Sequence, residues 1–151
     1  MSTPFLQLDA VSRWFGQDRA RVHALTDISL ALPRGAQAVL IGPSGSGKTT
    51  PLNLLGALDR PSSGTVRVAD AEVSAFDEKQ ASEFRRTTIG FVFQDDALLP
   101  ELTLEENIEL PLIVQRVGRK ERRRRVDELL QSLSLEERRH AYPALLSGGE
   151  K

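Results

Sequence analysis

Gly42, Gly47, Lys48 and Thr49 stand at the spacing G-x-x-x-x-G-K-T within the run Gly42-Pro-Ser-Gly-Ser-Gly-Lys-Thr-Thr50. Residues of these types at this spacing can hold the phosphates of a nucleotide. Glycine lets the backbone curl until its N–H groups point inward, and a helix that starts just after the loop offers its unpaired donors to anionic oxygens. The cradle then comprises Gly42, Ser44, Gly45, Ser46, Gly47 and Thr50. Lys48 reaches the β- and γ-phosphates, and the Thr49 hydroxyl is a ligand for Mg²⁺. A chance match is expected in on the order of one in two hundred chains of this size. Ala38, Val39, Leu40 and Ile41 lie directly in front and read as a buried parallel strand running into the loop.

The elements that must position this loop follow from periodicity and turn residues. Phe5-Leu-Gln-Leu8 alternates, as does Ile28-Ser-Leu-Ala-Leu32 inside a second segment from Ala24. Pro33-Arg-Gly35 is a turn into a strand over 37–41, and Gly64-Thr-Val-Arg-Val68 is a short strand after the turn at 60–64. Asp77 with Gln80 caps a helix to about Arg86, and Ile89-Gly-Phe-Val-Phe93 reads as a buried strand ending at Gln94. Thr103 with Glu106 caps the next helix, which Pro111 should kink or interrupt. A further helix is expected over 119–133, with Val126, Leu129, Leu130 and Leu133 on one face, and Ser134 with Glu137 caps a short third piece. Residues 1–93 are thus mixed α/β and 94–146 mainly helical, with 147–151 opening another helix.

Composition narrows the class. A chain of 151 residues suffices for one domain with a proper core. A formal charge of −1 argues against nucleic acid as a partner. No apolar run approaches the roughly 20 residues that span a bilayer, and Met-Ser-Thr-Pro-Phe lacks the basic and apolar regions of a signal peptide. With no cysteine, disulfides and thiolate metal sites are excluded, and a cytoplasmic location is the expectation. The basic run from Arg119 to Arg125 reads as the solvated face of an amphipathic helix.

A phosphate loop alone is compatible with kinases, GTPases and many ATPases. Two further segments narrow the choice: Leu146-Ser-Gly-Gly-Glu150, and Phe91-Val-Phe-Gln94. Ser147, Gly148 and Gly149 offer a hydroxyl and unobstructed N–H groups at a helix start, a second anion site. Gln94, at a strand end, can face Mg²⁺ and an attacking water while its backbone leads into the helical region. In order and spacing along the whole chain, these segments and the P-loop resemble the ATP-binding-cassette (ABC) ATPases.

The resemblance implies an α/β P-loop NTPase core with an N-terminal antiparallel β part and a helical subdomain. It implies ATP and Mg²⁺ as cofactors, and a head-to-tail homodimer in which Ser147–Gly149 of one copy closes on ATP held by the other's P-loop. Phe15, in Arg13-Trp-Phe-Gly16, matches the aromatic that stacks on adenine, with Trp14 as a rival. The groove beside Gln94 corresponds to the one that receives an integral-membrane permease, which would hold the protein on the inner face of the cell membrane. Val22-His-Ala-Leu25, Leu52-Asn-Leu-Leu-Gly56 with Leu58-Asp-Arg-Pro61, and Asn107-Ile-Glu-Leu-Pro-Leu112 are similar to the lipoprotein-releasing and macrolide-export group. A non-transport ABC ATPase is the alternative, although neither a coiled-coil insertion nor a tandem cassette is visible.

Two departures from the family pattern stand out. Pro51 occupies a position that is usually aliphatic, at a cost between nothing and roughly 3 kcal/mol depending on where the helix begins. The second concerns the strand ending in Asp-Glu and the switch histidine that the family supplies after the signature segment. Neither is found within these 151 residues, and His23 and His140 are in the wrong places to substitute. The expectation is a C-terminally truncated copy, unstable or aggregation-prone alone, that binds nucleotide with severely impaired hydrolysis.

Overall fold

The computed structural model describes residues 4–94 and 97–150. Met1 to Thr3 of the leader reading and Lys151 of the expected signature helix lie outside the described residues. The chain divides into two compact units, with the break after Ile89.

In the first unit four strands form one antiparallel sheet in the order β2-β1-β3-β4. They are β1 (Leu6–Phe15), β2 (Val22–Leu32), β3 (Ser63–Val68) and the two-residue β4 (Ala71–Glu72). Strict alternation would send Leu8 and Val11 to opposite faces, yet both are buried. An inserted residue resolves this. Between the pairs Leu8–Leu30 and Val11–Ile28, β1 advances three positions while β2 advances two, and the same excess separates Asp9–Thr65 from Ser12–Ser63 on the β3 side. Ala10 takes φ +46° in this bulge. Gly64 (φ +82°) passes so close that a Cβ would stand 2.3 Å from the Ala10 carbonyl oxygen. Only glycine fits there.

Leu8, Val11, Val66 and Val68 form a core with Val73, with Leu54 of α1 (Thr49–Leu55) and with Phe84 of α2 (Glu78–Thr87). Phe76 meets Phe84 edge-on at 5.5 Å. The reciprocal Asp77–Gln80 capping box starts α2 as expected. Arg13 of β1 grips Asp59 through two guanidinium nitrogens, Nε and Nη2, each at 2.8 Å, which ties the turn after α1 to the central strand.

Two expectations are corrected in this part of the chain. Residues 37–41 form no strand, and Val39 and Ile41 are 82% and 92% exposed. Residues 89–93 form none either, and Val92 is fully exposed while the rings of Phe91 and Phe93 stack on each other at 5.5 Å. Both runs have the composition of buried parallel strands, but such a strand exists only through its ladder, and no described strand pairs with them. The short β4 was not anticipated, because two residues carry no period.

The second unit is helical. Thr103 and Glu106 form the expected capping box on α3 (Leu104–Val114). This helix runs through Pro111 without interruption, contrary to expectation. The turns beyond the proline are held by Gln115 N–H to Pro111 C=O at 3.0 Å and Val117 N–H to Leu112 C=O at 3.0 Å. The Asn107 side chain accepts from Leu99 N–H at 2.8 Å and donates to the carbonyls of Leu99, Leu102 and Thr103 at 3.0–3.1 Å, folding the preceding loop onto the helix. Helix α4 (Arg119–Ser132) packs on α3 through Val126 and Leu130, with Leu104 and Leu146 completing the core.

Its apolar face is narrower than the sequence implies. Leu129 and Leu133 are about half exposed, whereas Val126 and Leu130 form the buried stripe that packs with α3. Ser134 is not a helix cap. It takes φ +57°, and only a 3₁₀ turn, Glu136–Arg138, follows.

Two substitutions test these cores separately. Gly64→Ala should destabilise the first unit by about 3 kcal/mol, through the positive φ and the clash with the Ala10 carbonyl. The shift should be read in urea unfolding followed by fluorescence of Trp14, the sole tryptophan. Leu130→Ala should cost the second unit about 3 kcal/mol, read as loss of helical circular dichroism at lower urea with little change in Trp14 emission.

Candidate nucleotide-binding site

The sequence Gly42-Pro-Ser-Gly-Ser-Gly-Lys48 folds as a loop of consecutive turns leading into α1. Ser46 N–H donates to the Pro43 carbonyl at 3.3 Å and Thr50 N–H to the Gly47 carbonyl at 3.0 Å. Gly45 and Gly47 take φ +78° and +82°, the left-handed region that turns a loop back on itself. At Gly47 glycine is required twice over, since a Cβ would also lie 2.5 Å from the Ala24 carbonyl oxygen of β2. A Cβ on Gly42 would fall 2.7 Å from Ser46 Oγ, a contact that a turn of the exposed Ser46 side chain would relieve. Ser44 and Ser46 are exposed on the loop, and the Lys48 ammonium bends back over it, donating to the carbonyls of Gly42 at 2.9 Å and Pro43 at 2.6 Å.

Pro51 is the third residue of α1, whose N-cap is Lys48. Its missing N–H therefore falls among donors that have no intrahelical partner, and the substitution costs the helix no hydrogen bond. Its ring is buried, and together with Leu54 it seats α1 on the sheet. Thr49 is the first residue of the helix and is exposed at the loop end, where its hydroxyl is free to ligate a cation.

Strand β2 links this loop to Phe15. Phe15 pairs with Val22, and Gly47 lies against Ala24, two residues further along the same strand. At about 3.4 Å per residue the two contact points are about 7 Å apart. The Phe15 ring is 46% exposed, and the Arg13 guanidinium lies 4.4 Å from its centroid. Trp14, the rival, likewise has a guanidinium over its ring, that of Arg21 at 5.1 Å, and it meets the His23 ring at 5.9 Å.

Gln94, Ser147, Gly148 and Gly149 belong to the second unit. Gln94 is exposed, next to an apolar groove of about 500 Å³ lined by Phe91, Phe93, Leu99, Asn107 and Leu110 among others. Ser147 to Gly149 are exposed after the 3₁₀ turn Pro143–Leu145. One contact there escaped sequence reasoning. Glu150 accepts from Ser147 N–H at 2.8 Å through one oxygen and from Arg138 Nε at 3.0 Å through the other. The spacing Ser147–Glu150 is that of a capping box and could have flagged it, whereas Arg138, twelve residues upstream, carries no local signal.

Residues 25–151 match the profile of the ABC transporter family (ABC_tran). The chain is 43% identical over 149 residues to the macrolide export ATP-binding/permease protein MacB of Shigella flexneri, covering 99% of this chain and 23% of that protein. It is 42% identical over its whole length to MacB of Sodalis glossinidius, again 23% of the relative. Among solved structures it superimposes on the dimeric ATP-binding cassette MJ0796 in a post-hydrolysis state bound to ADP and Pi. That match has a TM-score of 0.87 at 38% identity, and covers 96% of this chain and 64% of the other. The chain thus spans about a quarter of its curated relatives and less than two thirds of the solved cassette. A second dimeric structure of MJ0796, described as a bacterial ABC transporter cassette, gives a TM-score of 0.86 at the same identity. With the phosphate loop, the antiparallel sheet and the helical unit in matching order, the chain belongs to the ABC transporter family and carries part of its ATP-binding domain.

Proposed function

We propose that this chain binds ATP at Gly42–Thr50 as part of the engine of a membrane exporter. The observation that carries this reading is the loop itself: Gly45 and Gly47 hold left-handed backbone, a Cβ at Gly47 would meet the Ala24 carbonyl oxygen, and Lys48 is the cation positioned over the loop. Phosphate oxygens would replace the carbonyls of Gly42 and Pro43 as acceptors for the Lys48 ammonium. They would also take up N–H groups of the cradle formed by Gly42, Ser44, Gly45, Ser46, Gly47 and Thr50. Mg²⁺, when bound, would supply charge neutralisation at the phosphates, with the Thr49 hydroxyl as a protein ligand. Phe15 gives the adenine a face to stack on.

Ser147, Gly148 and Gly149 serve a second copy of the chain in a head-to-tail dimer, a reading supported by the dimeric state of the MJ0796 cassette. The groove beside Gln94 takes the permease, which holds the assembly on the inner face of the cell membrane. The relatives above are named for macrolide export rather than lipoprotein release, so export is the favoured work. These 151 residues contain no apolar strand ending in Asp-Glu, so they bind ATP and, by themselves, do not turn it over at the family's rate.

Titration of the chain with Mg·ATP should show saturable binding. Lys48→Ala should weaken it about 30- to 100-fold, the loss of a charge-assisted contact worth about 2–3 kcal/mol. Binding that is unchanged in Lys48→Ala, or turnover by the unaltered chain at a rate typical of complete cassettes, would overturn the reading.

The partner-facing half carries its own pH signature. Hydrogen bonds from the Ser147 side chain and backbone, followed by Arg138, push the Glu150 carboxyl down from 4.5 to about 2. A carboxyl with a depressed folded-state pKa contributes its full contact above the unfolded value and loses it as pH falls through the folded one. The Ser147 amide resonance should therefore be unchanged at pH 4 and move with a midpoint near 2. A midpoint at 4.5 would show that the contact does not hold the loop.

A further inference from the structure

The basic run on α4 separates into two sets. Arg122 bonds Glu109 at 2.7 Å and the Val117 carbonyl at 2.8 Å. Arg124 bridges Glu121 and Glu128, and Arg125 bonds Glu121 at 2.7 Å. The remaining acid of the helix, Asp127, is taken by Arg139. Every carboxylate on α4 is thus neutralised by an arginine. Arg119, Lys120 and Arg123 are exposed, and no described acidic group pairs with them. Their spacing i, i+1, i+4 puts them on one face of the helix. Arg116, in the turn between α3 and α4, is exposed and likewise without an acidic partner among the described residues. At the same end of the hairpin, Ile113 and Val114 are 47% and 57% exposed.

We infer that this hairpin end, Ile113 to Arg123, is a contact surface for anionic phospholipid headgroups. Four unpaired cations match the charge of such a surface, each contributing roughly fivefold in partitioning. The two aliphatic side chains suit the boundary between headgroups and acyl chains. Nucleic acid fits less well, since the patch has no aromatic ring to stack on a base and the chain carries a net −1. The inference is independent of nucleotide binding, and concerns a surface far along the chain from the phosphate loop.

Co-sedimentation of the purified chain with lipid vesicles tests it. The chain should bind vesicles of phosphatidylcholine containing one-third phosphatidylglycerol, bind pure phosphatidylcholine at least tenfold more weakly, and be released in about 1 M NaCl, where the Debye length shrinks to about 3 Å. R119Q/R123Q should lose at least tenfold. The charge-matched control R34Q/K79Q, in the first unit, should stay within about twofold. Glutamine keeps the helix propensity of α4, and circular dichroism confirms that each variant is folded. Equal losses in the two variants, equal binding to neutral vesicles, no binding by the unaltered chain, or tighter binding to a short single-stranded RNA than to the anionic vesicles would each overturn the proposal.

Discussion

Strand β1 is hydrogen-bonded on both sides, and its extra residue at Asp9–Ala10 is the constraint from which the first unit is built. The insertion turns Leu8 and Val11 to the same face, and that face is the floor on which Leu54 and Phe84 rest. Gly64 accommodates the bulge from one side, and Ser29 Oγ accepts the Ala10 N–H at 3.0 Å on the other. Without the insertion one of the two residues would point to solvent, and α1 would lose half its seat. Because α1 follows directly on the loop 42–48, a distortion in the sheet determines where that loop ends.

The loop is also held by steric fit rather than by a ladder. Gly47 lies against the Ala24 carbonyl, so the loop abuts the same stretch of β2 that pairs with Phe15. The order Phe15, strand, glycine loop is thereby set by backbone approach. Pro51, which looks like a defect in the sequence, lies where its missing donor would have been unpaired, and it fills part of the core. The signature half follows a related plan, with the Glu150 carboxylate and Arg138 holding Ser147 while Gly148 and Gly149 keep open space around them.

What was legible in the sequence is what local chemistry encodes. The glycines at 45 and 47 stand where the loop takes left-handed φ, and the boxes at Asp77–Gln80 and Thr103–Glu106 start helices where read. Features that depend on distant partners were hidden. The β1 bulge needs β2 and β3 to reveal it, and the Arg13–Asp59 clamp joins residues 46 positions apart. The runs at 37–41 and 89–93 mislead in the opposite direction: their apolar composition predicts burial, but composition alone provides no neighbouring strand. The α4 stripe was overestimated for the same reason, since periodicity counts apolar residues and not the helices available to cover them.

The two cores share no residue: one is built from Leu8 to Phe84, the other from Leu104 to Leu146. This has a thermodynamic consequence for the molecule as a whole. Cooperativity in unfolding comes from a common packed interior, and each unit has its own. Each core is therefore its own source of unfolding cooperativity, and a substitution in one acts first on the stability of that unit.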